Sequence, residues 1–179
     1  MAKVFEDLFM DLQADMVFAC VDYVKGKADK VYVYGSHEGR TIASDWFYEI
    51  DGQVVARYKT NTISPEYDVS DYNQNICFDI LNESIGDMID LCKDYCRPMP
   101  TEIKMIYDIN KNSLDVKYKY DNQWLNHKTK YADDIANEWF EKVKNSKRVA
   151  VPGCYASGFM SIVYPLVKLG IVSNDYMFA

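Results

Sequence analysis

The chain has 179 residues and a mass of 20.8 kDa, with 20 Lys+Arg against 27 Asp+Glu, a net charge of −7 and a pI near 4.8. That size predicts one domain, able to bury about 70% of its unfolded surface without staples. The acidic balance argues against direct nucleic-acid binding, whose usual footprint is a basic patch. A 49% hydrophobic content argues against disorder, and no apolar run reaches the roughly 18 residues that a membrane span needs. The N-terminal MAKVFEDLFMDLQADM carries Glu6, Asp7, Asp11 and Asp15 among its apolar residues, which a secretory signal would not. The expectation is a soluble, cytoplasmic globular protein with no membrane partner.

Residues 3–24 read as an amphipathic helix. Phe5, Leu8, Leu12, Met16, Ala19, Cys20 and Tyr23 recur at three- and four-residue steps, and Lys25-Gly26-Lys27 ends the run. Three strand candidates follow: Val31 to Tyr34, stopping at Gly35; Thr41 to Ile50; and Gln53 to Tyr58. Asp51-Gly52 between the last two is a strong hairpin signal. The pattern predicts an antiparallel meander laid against the first helix.

Residues 61–69 form a turn-rich loop, and Ser70 caps a long helix over about 71–96 that Arg97-Pro98-Met99-Pro100 cannot continue. At 100° per residue, Cys77, Leu81, Ser84, Met88, Leu91 and Tyr95 share one face, expected to be buried. Asp79, Glu83, Asp87, Asp90 and Asp94 form a second line roughly 120° away, a stripe of one sign. A second hairpin alternates through TEIKMIYDI and LDVKYKY around Asn110-Lys111-Asn112-Ser113. Residues 121–130 read as a polar loop with one exposed aromatic, Trp124. The third helix spans about 131–145 with an apolar stripe of Ile135, Trp139, Phe140 and Val143. This order predicts an α+β fold: an antiparallel sheet of about five strands with three helices, plus a C-terminal tail.

Five cysteines, Cys20, Cys77, Cys92, Cys96 and Cys154, are odd in number and irregular in spacing, which favours free thiols. Cys92 and Cys96, four apart on a helix, could share a metal, but small apolar core residues are the stronger reading, and no metal site is expected. His37 and His127 both fall in turn-like segments without a distinctive neighbour.

Residues 1–147 resemble the YezG-like immunity (antitoxin) proteins of bacteria. The resemblance is carried by KVYVYGSHEGRTIASDWFYEIDGQVV, SPEYDVSDYNQNICFDILNESIGDMIDLCKDY, PTEIKMIYDINKNSLDVKYKYD and ADDIANEWFEKVK. It implies a cytosolic α+β protein with no enzymatic activity and no cofactor, which binds and neutralises the toxic domain of a cognate polymorphic toxin, often a nuclease. A nuclease surface is cationic, so an inhibitor gains association rate from a complementary negative patch. The stripe of Asp79, Glu83, Asp87, Asp90 and Asp94 is the candidate patch, against the plainer role of a solubilising face. Aromatic anchors complete such an interface, with Trp46, Tyr67 and Trp124 the leading candidates beside Tyr48 and Tyr58.

Residues 149–179 differ in composition, holding one Lys and one Asp, so the net charge of −7 lies in residues 1–148. They resemble the segment around the catalytic cysteine of N-acetyl-gamma-glutamyl-phosphate reductase, an NADP-dependent enzyme of arginine biosynthesis. The motif is Pro152-Gly153-Cys154-Tyr155 with Gly158 following. A cysteine at a helix N-terminus after a glycine turn suits a thiolate nucleophile. No G-x-G-x-x-G stands upstream to cradle a dinucleotide, and the nine residues after Gly170 leave no room for the downstream histidine base. The expectation is therefore an immunity-type domain over 1–148 with an appended reductase-like fragment over 149–179. An oxidoreductase using Cys154, or the remnant of one, is the alternative.

Overall fold

A computed structural model of the chain describes residues 4–148. The chain divides into two compact units, Met1–Lys144 and Asn145–Ala179, and the first holds the sheet. The helices and strands among the described residues are α1 (Phe5–Tyr23), β1 (Lys30–Glu38), β2 (Thr41–Ile50), β3 (Gln53–Ala56), α2 (Asp71–Asp94), β4 (Glu102–Asp108), β5 (Ser113–Lys119) and α3 (Ala132–Arg148). The five strands form one antiparallel sheet in the order β3-β2-β1-β4-β5. The predicted α+β class, strand number and helix number are all observed.

Local chemistry explains most boundaries. Asp51 and Gly52 both have positive φ, 50° and 72°, the backbone that a tight two-residue hairpin demands. Ser70 caps α2 by accepting a hydrogen bond from the Asn73 amide at 3.3 Å. Lys25 and Gly26 take left-handed φ after α1, and the Gly26 amide reaches back to the Val21 carbonyl at 2.9 Å.

Two boundaries depart from expectation. β1 does not stop at Gly35 but runs on to Glu38, with Gly35 paired to Ser44 and to Ile103. Gly35 serves packing rather than turning: a Cβ built there would meet Ile85 Cδ1 at 3.3 Å and Met16 Cε at 3.5 Å, where α1 and α2 press on the sheet. His37 accordingly lies in a strand. β3 ends at Ala56, because Arg57–Thr62 coils into a 3-10 helix.

Alternation splits the sheet into two faces. Val31, Val33, Trp46, Tyr48, Ile50, Ile103 and Met105 pack beneath α1 and α2 in the main core. The opposite face carries Tyr34, Trp124, Ala132, Ile135 and Ala136, with Tyr32 stacked on Phe47 at 4.6 Å and Trp139 edge-on to both. The sheet is thus sandwiched between α1/α2 and α3. No helix among the described residues is long and apolar enough to cross a membrane.

Candidate functional site: the outer face of α1 and α2

The buried face of α2 consists of Cys77, Leu81, Ser84, Ile85, Met88 and Cys92. Ile85 and Cys92 take the places expected for Leu91, which is half-buried, and Tyr95, which is exposed. This rotates the true core line, so that the stripe of Asp79, Glu83, Asp87, Asp90 and Asp94 lies roughly 150° from it rather than 120°. All five carboxylates are exposed.

A second stripe, missed in the sequence, runs beside the first. On α1 and its N-cap, Val4, Asp7, Asp11, Asp15, Phe18 and Asp22 are exposed and fall within about 40° of one line, opposite buried Phe9, Gln13, Met16, Val17 and Cys20. The signal was legible as carboxylates at four- and seven-residue steps, but the apolar stripe of α1 drew the reading instead. The two helices pack antiparallel: Cys20 Sγ meets Cys77 Sγ at 3.9 Å, and the Phe5 and Tyr95 rings sit 5.6 Å apart. That register sets Asp15 level with Glu83, Asp11 with Asp87, and Phe18 with Asp79–Ile80. Nine carboxylates share this outward layer, and Lys93 is the one basic residue within either helix. The field is therefore of one sign over about 30 Å, the length of a 20-residue helix.

One end of the layer is apolar. Tyr72 is 76% exposed, Phe18 55%, Ile76 42% and Ile80 37%. Tyr72, Ile76 and Ile80 follow the i, i+4 rule along α2, and Phe18 on α1 lies level with Ile80. Isolated exposed apolar residues are ordinary, but four on one face edged by carboxylates have the anatomy of an interface centre and its rim.

Four of the five expected aromatic anchors are buried. Trp46 is 1% exposed, packed edge-on to Phe78 at 4.8 Å and to Tyr23 at 5.5 Å, with the Arg57 guanidinium 5.1 Å from its ring. Arg57 in turn pairs with Asp45, whose carboxyl is held above its usual range because burial outweighs that pairing. Tyr67 is 5% exposed and donates to the Lys27 carbonyl at 2.9 Å. Trp124 is 8% exposed and donates from Nε1 to Ser36 Oγ at 2.9 Å. Tyr48 is fully buried under Cys20, and of the five aromatics only Tyr58 is exposed. Loop aromatics look exposed in a sequence because nothing local marks the sheet surface that covers them.

The remaining candidates are also placed. Cys92 is buried with its Sγ 3.8 Å from Met99 Sδ, whereas Cys96 is exposed, contrary to its expected place in the core. Among the described residues, no group of three or more His, Cys, Asp or Glu side chains could hold a metal ion. His37 is half-buried, and His127 is exposed beside Thr129. Cys154 lies outside the described residues.

Fold and face together define an α+β protein with a single-signed helical surface and an apolar end. No family model matches the chain. A stretch of 43 residues, 24% of the chain, is 37% identical to N-acetyl-gamma-glutamyl-phosphate reductase 2 of Pseudomonas putida. The chain spans 14% of that protein's length.

Proposed function

We propose that residues 1–148 form an immunity protein that neutralises a cognate polymorphic toxin by presenting the outer face of α1 and α2 to a cationic surface of the toxin domain. The observation that carries this reading is the double acidic ridge with Phe18, Tyr72, Ile76 and Ile80 at one end. Charge of one sign steers encounter with a basic partner. Desolvated apolar and aromatic side chains then supply most of the affinity, while the surrounding contacts exclude water. The partner class comes from the resemblance over residues 1–147, and a toxin nuclease would supply the basic surface. The inhibitor itself acts in the cytoplasm and needs no cofactor.

The test is rescue. Cells expressing a polymorphic-toxin domain drawn from a reading frame next to this chain's gene, where one is found, should survive when the chain is co-expressed, and the two proteins should co-purify. Continued killing at matched expression would reject the reading.

The 43-residue match favours a second reading, an oxidoreductase related to the reductase that uses Cys154 as nucleophile. Calorimetric titration with NADPH tests it. Micromolar binding would support an enzyme, and silence at millimolar cofactor would leave the segment a remnant.

A further inference from the structure

Cys20 on α1 and Cys77 on α2 face one another with their sulfurs 3.9 Å apart, both buried, across a chain separation of 57 residues. Neither belongs to the outward face proposed for partner binding. Their surroundings are the α1–α2 seam above Tyr48, whose hydroxyl donates to the Cys20 carbonyl at 2.7 Å. A disulfide needs sulfurs about 2.05 Å apart, so closing this pair takes a movement of about 2 Å, within reach of side-chain rotation and a small shift of α1 on α2.

We infer that Cys20 and Cys77 are a site of reversible oxidation, forming an intramolecular disulfide that ties α1 to α2 when the folded protein meets a hydroperoxide. One thiol gives up its proton and its thiolate attacks an oxygen of hydrogen peroxide; the O–O bond breaks, and the departing hydroxide takes up that proton as water, leaving a sulfenic acid. The second thiol's sulfur then attacks that sulfur, the S–O bond breaks, and a second water leaves with the remaining proton. Two thiols lose two electrons in all, and the peroxide takes them.

Burial sets the rate. Removal from water, and then the hydrogen bond to Cys77, push the Cys20 thiol well above its usual range, so thiolate is scarce while the seam is closed. Oxidation therefore waits on local opening of α1 from α2. The exposed Cys96 has no such gate and reacts first, but its nearest cysteine in the chain, Cys92, is engaged with Met99. Once formed, the Cys20–Cys77 bond closes a long loop in the unfolded chain, which raises the melting temperature.

The experiment treats the folded full-length chain with hydrogen peroxide, alkylates the remaining thiols under denaturant and maps non-reduced peptides by mass spectrometry. A Cys20–Cys77 linked peptide that thiol reductants remove is expected, with a rise in melting temperature over the reduced sample. A Cys96→Asn variant, whose side chain suits the left-handed φ of 52° there, should keep both effects. Cys77→Ala should lose both. Full alkylation of Cys20 and Cys77 after oxidation, while circular dichroism shows the protein folded, would overturn the inference. So would linkage appearing only in denaturant, or equal pairing of Cys20 with other cysteines.

Discussion

Glu38 holds Trp124 in place through the backbone rather than the ring. The buried carboxylate accepts from the amides of Gln123 at 2.6 Å, Trp124 at 3.2 Å and Leu125 at 2.7 Å, while the indole donates to Ser36 two residues back on β1. One charge thus satisfies three loop amides and seats the loop after β5 on the α3 side of the sheet. Truncating it would strand those donors. Glu38→Ala should cost about 3 kcal/mol in denaturant unfolding, the upper range for charge-assisted bonds left unmade. Amide exchange at 123–125 should speed up before the rest of the molecule responds.

Gly35 marks where the helical layer touches the sheet. A single added methyl meets Ile85 and Met16 tips at 3.3 and 3.5 Å, and both can give slightly, so Gly35→Ala should be mild. Gly35→Val should cost about 1–3 kcal/mol by overpacking, read as a lower denaturation midpoint at unchanged slope. Equal stability of the two variants would mean that the helices do not press on β1.

Alkaline pH should unfold the protein steeply. Burial raises the Tyr23 phenol to about 12, and burial likewise lifts Tyr32, Tyr34 and Tyr48. Folded values above the unfolded value near 10 mean that these groups stabilise fully below about pH 10, and that this contribution is lost as pH rises from there through the folded values. Each tyrosine that ionises only on unfolding adds up to about 1.4 kcal/mol per pH unit to that loss. Tyrosinate absorbance from these four buried phenols should therefore appear cooperatively with unfolding. A single gradual phase would contradict their burial.

Removing residues 149–179 should leave a cooperatively folding domain, because the sheet, α1 and α2 all lie within residues 5–119. Thermal melts of the full and shortened chains test this. A shortened chain without a cooperative transition would show that the segment belongs to the core.

Turn and cap chemistry was legible wherever one or two residues dictate the backbone, as at Asp51-Gly52, Ser70 and Lys25-Gly26. Helix α2 was legible too, although its core line was set by Ile85 and Cys92, which only the packing of α1 could select. Gly35 misled because a glycine can mark a turn or a close approach, and the sequence around it does not say which. The candidate site was half legible. The α2 carboxylates were read correctly as exposed. The anchors were not, because Trp46, Tyr67 and Trp124 are covered by segments distant in the chain. Helical periodicity already puts Phe18, Tyr72 and Ile76 on the carboxylate side of their helices and Ile80 at its edge, so their exposure was legible, but nothing in the sequence shows that α1 and α2 bring them to one end of a shared face.

Association kinetics shows whether the α1–α2 face meets a basic partner. The variant Asp79→Lys, Glu83→Lys, Asp87→Lys reverses the sign of half the α2 stripe at exposed sites, where each change should shift stability by only about 0.5 kcal/mol. Association of wild type and variant with the cognate toxin domain, measured at low and at moderate salt, should show a wild-type rate that falls steeply with salt. The variant's rate should be slower by about tenfold or more at low salt and nearly flat with salt, because surface charges act mainly on encounter. Equal rates for the two proteins at both salts would contradict the account and return the carboxylates to the role of a solubilising surface.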